Sequence, residues 1–188
     1  AVAWRIHPHF GEWFDLQSGA RTEIPVAFDI WLQHPHQPFA VIAHTFVAPY
    51  DAAMIELPSL RVLKQINLTR GRMNDAAFTK SGRYLIAAGD DSLIRVFNGE
   101  SLKEELQFTG MPRHNSRLAI SPDERTIAVA HEKGPVTLWH LPTGRHLAEL
   151  PLPEEGPFPV RQVLFTRDGR YLVVCLDDRS IVAFDTRY

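Results

Sequence analysis

The stretch Arg117-Leu-Ala-Ile-Ser-Pro-Asp-Glu-Arg-Thr-Ile-Ala-Val-Ala130 decides the fold. Two short apolar runs flank Ser121-Pro-Asp-Glu124, whose residues favour a tight reversal because their side chains satisfy the backbone locally. The pattern is that of two antiparallel strands and a turn. Residues Val136, Leu138 and His140 then alternate with Thr137, Trp139 and Leu141 at a period of two. Both faces of this third strand are largely apolar, as in a sheet stacked between sheets.

Two other segments have the same layout. Asp75-Ala-Ala-Phe-Thr-Lys-Ser-Gly-Arg-Tyr-Leu-Ile-Ala-Ala88 precedes it, and Gln162-Val-Leu-Phe-Thr-Arg-Asp-Gly-Arg-Tyr-Leu-Val-Val-Cys175 follows it. Phe78, Ile120 and Phe165 are equivalent, at separations of 42 and 45 residues. Third strands close the units, and there Phe97, Trp139 and Phe184 keep the same two separations. These six residues are the predicted core. Upstream, 27–32, 39–45 and 52–57 read as the strands of a weaker unit, with Trp31 aligned 47 residues before Phe78. No stretch carries a convincing amphipathic helix. The expected fold is all-β: a propeller of four-stranded antiparallel blades. The predicted divisions are a partial blade at 1–23, a degenerate blade at 24–58, and blades at 59–99, 100–142 and 143–188.

Ala119-Ile-Ser-Pro-Asp-Glu, Ile127-Ala-Val-Ala130, Val136-Thr-Leu-Trp139 and Thr143-Gly144 together resemble a WD40-type repeat. The resemblance covers 73–188 well and 11–57 loosely. It departs from the family pattern at instructive places. The Trp-Asp dipeptide stands here as Trp139-His140, Phe97-Asn98, Phe14-Asp15 and Phe184-Asp185. The small Ser of the second strand is replaced by Ala88, Ala130 and Cys175. The resemblance therefore implies blades that rely on apolar packing rather than on the family's Trp–Ser–Asp–His network. Its functional implication is a non-catalytic scaffold that helps assemble a larger complex or multidomain protein.

Composition narrows the function classes. A single cysteine among 188 residues leaves no intrachain disulfide, and Cys175 is expected to be a small buried hydrophobe. With 20 basic and 22 acidic side chains, the formal charge of -2 offers no bulk attraction to nucleic acid. No window approaches a membrane-spanning apolar run. The N-terminal residues lack a secretory signal, so a cytoplasmic location is expected. No phosphate loop, nucleophile elbow, zinc-protease or haem-attachment motif occurs. Hence no catalytic residue and no cofactor are expected.

Nine histidines form the alternative. His7 and His9 have a spacing usable by a metal in extended backbone, and His44 and His131 are expected on the same face. A haem or metal held by channel-facing His and Asp groups is thus the competing reading. His34 and His36 fall in a turn on the opposite face. The expected interaction rim, formed by loops after second strands, is Asp90, Asp91, Glu132, Lys133, Asp177 and Asp178. At 42–47 residues per unit the chain supplies about four and a half blades, whereas a closed ring usually has about six to eight. The expected partners are therefore proteins, or further sequence of the same protein, that complete the propeller.

Overall fold

Strand formation follows from the density of β-branched and aliphatic residues between turn formers. The structure is a computed structural model that describes residues 2–7, 10–15, 18–23, 28–43, 51–108, 115–131, 134–152 and 159–187. Five antiparallel sheets occur among the described residues, and no helix does. The first sheet holds β1 (Val2–His7), β2 (Phe10–Asp15) and β3 (Arg21–Glu23). The second holds β4 (Ile30–Gln33), β5 (Phe39–Ala43), β6 (Ala52–Glu56) and β7 (Val62–Ile66). The third holds β8 (Met73–Phe78), β9 (Tyr84–Gly89), β10 (Ile94–Asn98) and β11 (Glu104–Phe108). The fourth holds β12 (Asn115–Ile120), β13 (Thr126–His131), β14 (Val136–His140) and β15 (Arg145–Leu150). The fifth holds β16 (Val160–Phe165), β17 (Tyr171–Leu176) and β18 (Ile181–Asp185). In each sheet the strands lie in sequence order, every pair antiparallel.

The register reproduces the repeats residue by residue. Phe78 opposes Leu85, Ile120 opposes Ile127, and Phe165 opposes Leu172. Phe97, Trp139 and Phe184 oppose these same three second-strand residues from the other side. The upstream alignment needs a correction. In the second sheet the residue paired as Phe78 is paired is Gln33, opposite Ala40, not Trp31. Trp31 lies two positions earlier, opposite Ile42. A shift of two keeps a side chain on the same face, so apolar patterning alone could not detect it.

The sheets are also offset from the sequence divisions. Residues Val62–Ile66, Glu104–Phe108 and Arg145–Leu150 each pair as the fourth strand of the preceding sheet. The divisions at 59–99, 100–142 and 143–188 group them instead with the strands that follow.

The chain divides into two units, Ala1–Asn67 and Leu68–Tyr188. In the first, Phe28, Ala40, Ile42, Ala53, Ile55 and Leu60 form a core against which Trp31 and Leu57 pack. In the second, two apolar layers separate three stacked sheets. Ile86, Ile94, Val96 and Phe108 of the third sheet meet Leu118, Ile127, Val129 and Trp139 of the fourth. On the fourth sheet's other face, Ala128, Ala130, Val136 and Leu138 meet Val160, Val163, Leu172 and Val174 of the fifth. Strand β13 thus serves both layers, and Ile127 through His131 are all buried. Each large aliphatic side chain buried there contributes about 1.5–3 kcal/mol.

Of the predicted core residues, Trp139 lies in the first layer with Ile120 packed against it, Phe165 and Phe184 pack against the second, and Phe78 and Phe97 belong to neither. Phe97 and Trp139 are buried, and Phe78, Ile120, Phe165 and Phe184 are half-buried. Cys175 is half-buried too, not fully buried, because it faces away from the layer shared with the fourth sheet.

Candidate functional site

The turns between first and second strands share one construction. A hydroxyl at the end of the first strand (Thr79, Ser121 or Thr166) accepts the backbone N–H five residues on, from Tyr84, Thr126 or Tyr171, at 2.9–3.1 Å. Ser121 and Thr166 also donate to Asp123 and Asp168, at 2.5 and 2.6 Å. Those hydroxyls hold both carboxyls below the ordinary range, aided by the backbone N–H of Arg125 and Arg170 respectively. Gly82, Glu124 and Gly169 take the left-handed position of each turn, with φ of 73°, 57° and 71°. Glu124 is the exception among them in carrying a side chain. Its carboxylate accepts both the N–H and the hydroxyl of Ser81, each at 2.6 Å, clamping the fourth sheet's turn to the third's.

Arginines on this face are engaged locally. Arg83 lies over the Tyr84 ring at 5.0 Å and Arg170 over Tyr171 at 4.9 Å. Asp185 receives Arg187 at 2.7 Å and sits 3.8 Å from Arg170. Its pKa falls to about 2, chiefly through the Arg187 hydrogen bond.

At the opposite ends of the strands lie the expected rim residues. Asp90 accepts the Asn74 amide at 2.5 Å. Asp91 pairs with Arg95 at 2.6 Å and also accepts the Leu93 and Arg70 N–H groups, both at 3.3 Å. The Arg95 side chain is only 3% exposed, so Asp91 supplies the charge that a buried guanidinium requires. Asp177 pairs with Arg161 at 2.8 Å. Asp178 accepts the Ser180 hydroxyl at 2.6 Å and N–H at 2.8 Å, which lowers its pKa. Glu132 and Lys133 lie outside the described residues. Asp91 and Asp177 thus carry ion pairs in addition to their expected place in the loops. For the first pair the sequence signal is Arg95, four residues after Asp91; the second partner, Arg161, lies on a different strand from Asp177 and leaves no such signal.

His131 needs the larger correction. It ends β13 at 1% exposure, in the interior rather than on the rim. Its Nε2 lies 2.9 Å from the Thr137 hydroxyl, which also accepts the indole N–H of Trp139 at 2.9 Å. That hydroxyl reaches the Val129 carbonyl at 3.4 Å. The Trp139 ring stacks on Phe108, with centroids 6.0 Å apart, and meets His146 edge-on at 4.9 Å. The family's side-chain network is therefore replaced by another, with Thr137 in place of the second-strand Ser and His131 supplied by the same sheet. A ring held this way is a structural group, not a ligand facing solvent. His9 and His44 lie outside the described residues, as does the His7 side chain. His34 is buried, and its Nδ1 accepts the N–H of His36 at 3.1 Å and of Gln37 at 2.9 Å, which makes it a turn cap. Among the described residues no group of three or more His, Cys, Asp or Glu could hold a metal ion. Among the described residues no helix is long and apolar enough to cross a membrane.

Polar contacts also join neighbouring sheets along the first strands. Asp75 accepts the Leu118 N–H at 2.9 Å, and Arg117 donates to the Arg161 carbonyl at 2.9 Å. The first is possible because β12 is the end strand of its sheet, where alternate backbone N–H groups point away from the ladder.

Four-stranded antiparallel sheets, stacked and repeating with fixed register, define a WD40-like β-propeller segment. The WD40 family profile (WD domain, G-beta repeat) matches residues 62–98. That is β7 with β8–β10, the outer strand of one sheet and three strands of the next. Pre-mRNA-processing factor 19 of Schizosaccharomyces pombe is 30% identical over 110 residues, which cover 57% of this chain and 21% of that protein. Small ribosomal subunit protein RACK1 of Neurospora crassa is 27% identical over 101 residues, covering 54% and 30%. WD repeat-containing protein SL1-17 of Schistosoma mansoni is 27% identical over 111 residues, covering 59% and 36%. The matched stretches thus account for between about a fifth and about a third of these relatives.

Proposed function

We propose that this chain is a non-catalytic protein-interaction scaffold that takes part in assembling a larger complex or multidomain protein. The observation that carries the reading is the way its loops are held. Each turn is fastened by hydroxyl and carboxylate bonds to strands whose side chains fill two apolar layers. Such loops are displayed at fixed spacing, which suits recognition. The WD40 likeness and the repeat-bearing relatives support the same role. The polar groups that composition could have lent to catalysis are used in turns, ion pairs and the Thr137 network. The proposal includes protein partners, or further sequence of the same protein, that complete the propeller, and a cytoplasmic setting.

The test is recovery of a stoichiometric complex from native cells, using the chain in its full-length context. Substitution of Asp90 and Asp177 by Lys should leave the circular dichroism spectrum in place and reduce recovery of the complex. A protein that yields no stable complex, or whose complex ignores substitutions on both loop faces, would overturn the reading.

A further inference from the structure

The turn that follows β10 carries a reactive dipeptide. Asn98-Gly99 is the chain's single Asn-Gly step, since Asn67, Asn74 and Asn115 precede Leu, Asp and Ser. Glycine leaves the preceding side-chain amide open to attack by its own backbone nitrogen, because no Cβ stands in the way. Packing demands glycine here, as an added Cβ would collide with the Gly82 carbonyl. The reactive pair is therefore built into the turn.

The Asn98 side chain is held as an activated amide. Its Oδ1 accepts the backbone N–H of Glu100 at 3.2 Å and of Ser101 at 2.9 Å, and the Ser101 hydroxyl at 3.1 Å. Donors converging on that oxygen polarise the carbonyl and stabilise charge developing on it. Nδ2, the atom that leaves as ammonia, donates to Glu105 at 3.0 Å. The nucleophile, by contrast, is withheld. Gly99 is buried, and its N–H donates to the Arg83 carbonyl at 2.7 Å.

We infer that Asn98 is a site of self-modification, at which the Gly99 nitrogen attacks the Asn98 side-chain amide when the Gly99–Arg83 bond opens. The bond from the Gly99 nitrogen to Cγ forms, the Cγ–Nδ2 bond breaks, and ammonia leaves with the proton of the Gly99 amide. Water then opens the succinimide ring at either carbonyl, giving aspartate or isoaspartate without an oxidant or an enzyme. Isoaspartate adds a methylene to the main chain. That segment is framed by the Asn98 N–H on the Lys103 carbonyl at 2.9 Å and the Leu102 N–H on the Asn98 carbonyl at 3.0 Å. The lengthened chain cannot keep both bonds. Strand β11 starts at Glu104, so the modification releases the beginning of the third sheet's outer strand. The site is independent of the scaffold reading.

Peptide mapping by mass spectrometry tests this on the full-length protein, held at mildly alkaline pH and sampled over time. Amide loss should occur at Asn98 ahead of Asn67, Asn74 and Asn115. It should run about tenfold or more faster in unfolding guanidinium chloride than in buffer, because the native turn has to open first. The modified protein separates by its added negative charge, and its amides at Glu104–Phe108 should exchange hydrogen faster than those of unmodified protein. Asn98→Ser, which cannot form the ring, should show no such change after the same treatment. Amide loss first at another asparagine, or at equal rates with and without denaturant, would overturn the inference. So would unaltered exchange at Glu104–Phe108 in the modified protein, or the same acceleration in treated Asn98→Ser. If Asn98→Ser does not fold, the unsubstituted protein alone decides the matter.

Discussion

The Trp139 indole N–H and the Thr137 hydroxyl meet at 2.9 Å from positions two apart on one strand, both buried. Adjacent positions on one face of a strand can share a bond in this way without any loop supplying a partner. His131 comes to the same hydroxyl from the neighbouring strand at 2.9 Å. Replacing Thr137 with Val keeps the shape but strands both ring nitrogens, and should cost about 1–3 kcal/mol. Thr137→Ser should cost much less. Trp139→Ala, which also empties the contact with Phe108, should cost about 3–5 kcal/mol. Urea titrations followed by circular dichroism check all three.

Asp91→Ala should be far more damaging than its loop position suggests. It leaves the Arg95 guanidinium buried without its closest counter-charge, because Glu104 stands farther off at 3.8 Å. A loss of about 3–5 kcal/mol is expected in a denaturant titration. Asp177→Ala, whose partner Arg161 is 72% exposed, should be close to neutral.

Acid should act on two sets of carboxylates with opposite sign. Asp123, Asp168, Asp178 and Asp185 have lowered pKa values, so their contribution is present above about pH 4 and is lost as pH falls through the folded values. Asp75 is raised, mainly by desolvation, so its contribution is present at low pH and is lost as pH rises through its folded value. Asp75→Asn removes only the second behaviour. The urea midpoint of the variant relative to wild type should therefore increase from acidic to neutral pH.

Gly99→Ala should be severely destabilising. A Cβ there would come within 1.8 Å of the Gly82 carbonyl oxygen, which is backbone and cannot swing aside. Gly71→Ala, with nothing within 4 Å of the added atom, is the control. Thermal melts of the two variants should separate clearly.

The strands and their order were legible because apolar residues alternate between turns whose chemistry is local. The register of the last three units was legible because two repeated apolar anchors fixed it, Phe78, Ile120 and Phe165 in the first strands and Phe97, Trp139 and Phe184 in the third. Trp31 misled because a two-residue slip preserves the face of a strand. The offset of the fourth strands was hidden because hydrogen-bond partnership across a loop leaves no mark on periodicity. At the site, the acids after β9 and β17 can be placed in loops from the sequence, but the pairing of Asp91 with Arg95 and of Asp177 with Arg161 depends on distances. His131 was misplaced for a related reason. A histidine at a strand end has the same sequence signature whether its ring turns toward solvent or inward, and the inward choice depended on Thr137 six residues later.

The offset has a mechanical consequence. The segment 104–140 supplies the outer strand of the third sheet and the first three strands of the fourth. Peeling away that one stretch of chain uncovers an edge on a sheet it does not otherwise form. Neighbouring sheets are thus interlocked like overlapping tiles, and fraying at one repeat should be transmitted to the next rather than stopping at a boundary.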